Sequence, residues 1–151
     1  MTVLEAPPIR LHEDSALFQE AVTYTAAETR FVPRLIEKDS FCTVLLQCLA
    51  AAGVELVFKG GTCLAKVHAG FYRLSEDLDF SIPTPLDASR ADRSRHVKRL
   101  RVAIAGIEDL VPGLHVLTAL TGANASTQYT AAIGYTSLLG ARRKQSRSRS
   151  A

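Results

Sequence analysis

Two adjacent glycines, Gly60 and Gly61, restrict the fold of this chain more than any other feature of its 151 residues. Before them, residues 54–58 (VELVF) form a short run rich in β-branched and apolar residues, which predicts a short buried strand running into a tight turn. After them, residues 62–68 predict a short helix, broken at Gly70. Glycine has no Cβ, so Gly60 and Gly61 can turn sharply and let backbone N–H groups approach a ligand. Further on, Leu78, Phe80 and Ile82 alternate with Asp77, Asp79 and Ser81. That period of two predicts a second strand with one apolar face, and it sets both carboxylates on the other.

Two neighbouring carboxylates repel, and a cation between them relieves the repulsion. Mg²⁺ takes hard oxygen ligands, commonly one or two carboxylates completed by substrate phosphates. A lone Asp-x-Asp is weak evidence, because exposed strand faces often carry acids. The upstream turn adds weight: a helix start after paired glycines presents N–H donors and a partial positive charge to an anion. Thr62 can cap that helix or bond a phosphate oxygen, and Lys59 and Lys66 bring cations near. Arg73 and Ser75, just ahead of the acidic strand, supply further donors. The plainer reading of Lys59-Gly60-Gly61-Thr62 alone is a glycine turn with a threonine cap. Anion-binding turn, short helix and acidic strand within about twenty residues are harder to dismiss together.

Elsewhere the pattern is that of one ordinary globular unit, with 47% hydrophobic and 22% charged residues. Pro7-Pro8 blocks a helix in a loose lead-in over residues 1–13. Asp14 or Ser15 predicts the cap of a helix reaching Arg30, and Pro33 the first turn of a second helix that Gly53 ends. After Pro83 and Pro85, Asp87 or Ser89 predicts the start of a helix with Val97, Leu100, Ile104 and Ile107 on one face. Its other face carries Arg90, Arg93, Arg95, His96, Lys98, Arg99 and Arg101, a solvated surface or a contact for an RNA backbone. Residues 114–120 and 128–139 predict two more strands around a turn at Gly122 to Ser126. Tyr135 reads as a packing residue, and His68 as facing solvent or covering the short helix.

The formal charge of +3 comes from the end of the chain: residues 1–141 hold 13 Lys and Arg against 15 Asp and Glu, a net of −2. Overall charge therefore gives no argument for nucleic-acid binding. Cys42, Cys48 and Cys63 stand singly in apolar segments, as reduced core thiols do. No stretch suits a membrane span and no secretory signal is read, so the cytoplasm is the default expectation.

Lys59-Gly60-Gly61-Thr62-x-Leu64 followed by Arg73-x-Ser75-x-Asp77-x-Asp79-Phe80 resembles the AbiEii/AbiGii nucleotidyltransferase-like toxins, within the DNA polymerase β-type superfamily. Ile36-Glu37-Lys38-Asp39 is similar to that family's N-terminal pattern, and the resemblance covers residues 33–139. It implies an α+β nucleotidyltransferase core, polymerase β-like, with a small mixed sheet and flanking helices over residues 14–140. It further implies Mg²⁺ (or Mn²⁺) as cofactor, an NTP substrate, an RNA acceptor such as tRNA, and a cognate antitoxin in a toxin–antitoxin or abortive-infection system. By position, Asp77 and Asp79 match the catalytic, metal-binding pair, Gly60, Gly61 and Thr62 the phosphate turn, and Arg73 and Ser75 the residues ahead of the acids. Lys59 and Lys66 join the nucleotide-binding set with less definite roles. Glu37 and Asp39 either reach the site or fix a helix start.

The chain departs from that family where a third carboxylate on a later strand, and a C-terminal helical region with its own Lys and Asp motif, are expected. From residue 141 it becomes a basic Arg/Ser run, read as a disordered tail or as the product of a frameshift. Codons for residues 141–150 can be chosen so that the frame two nucleotides later reads EEETIKIEV, an acidic turn and a strand-like segment. On that reading the core is incomplete at its C-terminus, and an inactive remnant that at most binds nucleotide is the alternative to an enzyme. A nucleic-acid-binding module using the arginine-rich helix and tail is a further one.

Overall fold

The computed structural model describes residues 10–70, 73–74 and 76–140. Asp14 starts the first long helix, α1 (Ser15–Thr29), by accepting from the N–H groups of Ala16 and Leu17 at 3.1 and 3.0 Å. Those two donors have no partner inside the helix, so the cap stabilises it by about 1 kcal/mol. Pro33 sits in the first turn of α2 (Pro33–Ala51), where its missing N–H is not needed. The buried side of α2 carries Glu37, Phe41, Val44 and Leu49. Gly53, at φ 64°, turns the chain away after it.

The first strand, β1 (Val57–Lys59), is shorter than residues 54–58 predict and shifted by one residue at its end. Only these three residues have a ladder partner, in β2 (Asp79–Ser81): Val57 opposite Ser81, Phe58 opposite Phe80 and Lys59 opposite Asp79, antiparallel. Val54 and Leu56 still pack into the core without joining a sheet. Between the strands, α3 (Gly60–Cys63) continues into a π-helical turn, Leu64–His68. The helix thus begins two residues before the expected Thr62 and widens in its second half.

Ser89, not Asp87, caps the next helix. Its hydroxyl accepts from the Asp92 N–H at 3.2 Å while the Asp92 carboxylate accepts from the Ser89 N–H at 3.1 Å, a complete capping box. The single helix expected here is divided into α4 (Arg90–His96), α5 (Lys98–Ala105) and α6 (Ile107–Leu110). Gly106 leaves helical geometry (φ −90°, ψ 6°) between the last two. Despite the breaks, Val97, Leu100, Ile104 and Ile107 are all buried. The chain closes with a hairpin of β3 (Leu114–Ala123) and β4 (Gln128–Tyr135), paired from Leu114 opposite Tyr135 to Ala123 opposite Gln128.

β4 ends four residues before the expected residue 139, and the cause is visible. The Leu138 N–H donates to Glu37 Oε1 at 2.6 Å and the Ser137 hydroxyl to Glu37 Oε2 at 2.8 Å, so the chain turns to α2.

The class is α+β, as expected, but the small mixed sheet is not formed among the described residues. Two separate two-stranded antiparallel sheets stand in its place. They communicate through side chains: Phe80 and Ile82 of the β2 segment share one apolar cluster with Leu120, Tyr129 and Ile133 of the hairpin, around Leu49, Val97, Leu100 and Ile104. A second cluster joins Phe41 and Val44 to Ile107, Val111 and Leu114. Tyr135 stacks on Phe41 with ring centroids 4.7 Å apart, a packing role as read from the sequence. Burial pushes its hydroxyl pKa upward. The three cysteines are free and half-buried. No helix among the described residues is long and apolar enough to cross a membrane. The basic tail lies outside the described residues, as does Ser75.

Candidate functional site

The site is built on the three-rung ladder of β1 and β2. Alternation along the second strand holds: Asp77, Asp79 and Ser81 are exposed while Leu78, Phe80 and Ile82 are half-buried. Asp77 lies just ahead of β2 and not within it. The apolar face is pinned by the Phe58–Phe80 ring pair, with centroids 5.4 Å apart across the ladder. Asp79 is thereby left on the opposite, open side, and Asp77, ahead of the strand, is likewise exposed.

The glycine turn abuts this acidic side. Gly60 adopts φ 78°, a left-handed conformation that side chains other than glycine rarely take. A methyl group added there would stand 3.1 Å from Asp79 Cβ and Cγ and closer still to Oδ2. Only a bare glycine lets the turn lie against the carboxylate. Thr62, 2% exposed, donates its hydroxyl to the Asp77 carbonyl oxygen. It thus ties the helix start to the segment leading into β2, in place of capping the helix.

Lys59, directly opposite Asp79 in the register, is exposed at the strand end. Arg73 is also exposed. Lys66 is turned elsewhere: its ammonium lies 2.7 Å from Asp39 Oδ2 and 3.0 Å from Thr43 Oγ1 on α2, with both partners' side chains mostly buried. The Lys66 cation, expected near the turn with a less definite role, is thus held against α2 by this ion pair. The same contact settles Asp39 as an anchor for the π-turn and not a helix-start residue. Lys38, one residue earlier on α2, donates to Glu76 Oε2 and holds that carboxyl below its ordinary pKa. Glu37 is 1% exposed and serves the chain after β4, so neither role expected of it holds. These α2 contacts span 27 to 101 residues of sequence, and no periodic pattern announces them.

The remaining basic cluster is a surface feature of α4 and α5. Arg90, Arg95, His96, Lys98, Arg99 and Arg101 are exposed. Arg93 is bound inward, to the Ala88 carbonyl and, at 3.0 Å, to that of Ala125. Arg101 lies 5.7 Å over the Tyr129 ring. Arg95, Lys98 and Arg101 line a shallow concavity with Ala91 and Ser94.

One exposed carboxylate on the short ladder and a second just ahead of it, with a glycine turn seated against the first, form the open side of the site. The sequence model of a family described as the nucleotidyl transferase AbiEii toxin of a type IV toxin–antitoxin system matches residues 44–144. The chain belongs to this family. Comparison with curated proteins and with solved structures gives no match. The AbiEii match takes in the turn, both aspartates and the hairpin, while α1 and the first part of α2 precede it. Membership in the AbiEii family implies a transferase-type toxin of a toxin–antitoxin system, and with it a cognate antitoxin.

Proposed function

We propose that this chain is a metal-dependent nucleotidyltransferase, moving a nucleoside monophosphate from an NTP to a hydroxyl on RNA and releasing pyrophosphate. The observation that carries this reading is the seat of the Gly60 backbone against the Asp79 carboxylate. A phosphate bound over the turn and a cation bound to Asp79 would then be neighbours. Two exposed carboxylates fit Mg²⁺, or Mn²⁺, whose other ligands would be triphosphate oxygens and water. When bound, the metal supplies charge neutralisation at the phosphates and a more acidic acceptor hydroxyl. The protein's own part is positional: N–H groups of the Gly60–Thr62 turn and the Lys59 and Arg73 cations hold phosphate oxygens. Thr62 fixes Asp77 relative to the turn, and Lys66 serves through Asp39.

Transfer of label from radioactive NTPs onto total RNA tests this. The wild-type chain should label RNA in the presence of Mg²⁺, and Asp77→Ala and Asp79→Ala should not. A second reading is a non-catalytic nucleotide binder, in which the turn and the two aspartates serve as a binding surface only. NTP binding without any label transfer by the wild type would establish that reading. A third, a nucleic-acid-binding module, draws on the concavity at Arg95, Lys98 and Arg101. Salt-sensitive RNA binding that survives Asp79→Ala but fails in the triple alanine variant of these cations would support it.

A further inference from the structure

A cavity of about 540 Å³ opens away from the β1–β2 ladder, between the 3-10 turn Leu11–Glu13, the second half of α2, and α5–α6. Its volume lies in the range of small-molecule sites, roughly 300–1,000 Å³. The walls are mainly aliphatic, with Val44, Ile107 and Leu110 among them. Ala51, Ala52 and Ala103 contribute only methyl groups where larger side chains would close the space.

Arg10, His12, Gln47 and Cys48 are the polar members of this lining, and of these His12 carries buried ring nitrogens without a partner. It is 7% exposed, yet neither ring nitrogen has a hydrogen-bond partner among the described residues. Burying such a group unpaired costs roughly 1–3 kcal/mol, and here two nitrogens are buried in one ring. The ring packs tilted against Phe41, with centroids 5.6 Å apart at 55°. Burial pushes the imidazole pKa below its ordinary 6.5, so near neutrality the ring is uncharged, with one N–H donor and one bare nitrogen acceptor. Arg10, also lining the cavity, is already paired with Glu13 through Nε at 2.8 Å. The polar lining therefore offers a hydrogen bond without a free charge, which selects against ionic ligands.

We infer that this cavity is a binding site for an uncharged, hydroxyl-bearing ring compound of about two fused rings, whose hydroxyl completes the unpartnered His12 imidazole. Its apolar body replaces water against the alanines and Ile107, and its hydroxyl both donates to the bare nitrogen and distinguishes it from a plain hydrocarbon. The inference does not depend on nucleotidyl transfer, because none of these residues belongs to the turn or the acidic pair.

Calorimetric titration of the full chain with 2-naphthol and with naphthalene tests it. The wild type should bind 2-naphthol saturably at one site, and about tenfold more tightly than naphthalene, the value of one net hydrogen bond. His12→Phe keeps a ring and removes both nitrogens, and it should abolish the preference while naphthalene still binds. Ala103→Leu, or Ala52→Leu should the first fail to fold by circular dichroism, should remove binding of both compounds. Asp79→Ala should leave both affinities unchanged. Absence of saturable binding by the wild type, a preference retained in His12→Phe, or binding untouched by a folded cavity-filling variant would each overturn the inference.

Discussion

Glu37 and Ser137 lie a hundred residues apart in sequence and meet in a hydrogen bond of 2.8 Å, with the carboxylate 1% exposed. The second oxygen of the same carboxylate takes the Leu138 N–H at 2.6 Å. One α2 side chain thus fixes where β4 ends and how the chain returns to the helical layer. Glu37→Ala leaves the part-buried Ser137 hydroxyl and Leu138 N–H contacts without their acceptor and should lower unfolding free energy by roughly 1–3 kcal/mol in urea titration. Glu37→Gln keeps one acceptor oxygen and should lose less than half of that. No loss in Glu37→Gln would show that the volume of the side chain matters and the second carboxylate oxygen does not, while equal losses in the two variants would show that both oxygens are required.

Gly60 and Gly53 offer a matched pair, since both have positive φ, 78° and 64°. A Cβ at Gly53 meets nothing within 4 Å, whereas at Gly60 it collides with Asp79. Gly53→Ala should therefore cost about 1–2 kcal/mol of stability for the left-handed backbone alone, with NTP affinity unchanged. Gly60→Ala should add displacement of the Asp79 carboxylate, and NTP binding in Mg²⁺ should fall at least tenfold at temperatures where the variant remains folded. Both effects are read by thermal melts and by equilibrium nucleotide binding.

The two lysine contacts of α2 should separate by burial. Lys66 and Asp39 have side chains 9% and 15% exposed, and removing one charge leaves the other desolvated. Lys66→Met is thus expected to destabilise by roughly 2–4 kcal/mol. Lys38 and Glu76 are 34% and 55% exposed, and Lys38→Met should change stability by no more than about 1 kcal/mol. Salt titration gives a second check: screening should weaken the Lys38 contribution and barely touch that of Lys66.

His12 carries a pH signature whose sign can be worked out. Burial lowers its pKa in the folded chain relative to 6.5, so below that pH the unfolded chain takes up the proton first. Stability from this group is complete above pH 6.5 and falls as the pH drops below it. Subtracting the melting profile of His12→Phe from that of the wild type should leave a curve flat above pH 7 and declining toward pH 5. A difference curve that rises on acidification would contradict a desolvated, neutral imidazole.

Local rules made much of this fold legible. Asp14 as a cap, Pro33 at a helix start, and the alternation around Asp79 each act within a few residues, so a single sequence displays them. Sheet architecture was not legible, because β1 forms three rungs with one partner and the choice between one sheet and two is made by packing at Phe80 and Ile82. The site divides the same way. Gly60 and Asp79 stand out by residue type and spacing, and the structure brings them together. Lys66 looked like a free cation beside the turn, and only the tertiary placement of Asp39 and Thr43, on a helix more than twenty residues earlier, assigns it to α2. Glu37 was misread for the same reason.

The three-rung pairing of β1 with β2 also determines how the site comes apart. Lys59 and Asp79 face each other on one rung, so a single opening of that short ladder separates the turn from the carboxylate at once. Amide hydrogens of Val57 to Lys59 and Asp79 to Ser81 should exchange with solvent as one cooperative unit, and faster than those in the long β3–β4 hairpin. A ligand held by both halves would slow that exchange throughout the unit, which makes deuterium uptake by these six residues a gauge of site assembly that requires no knowledge of the acceptor.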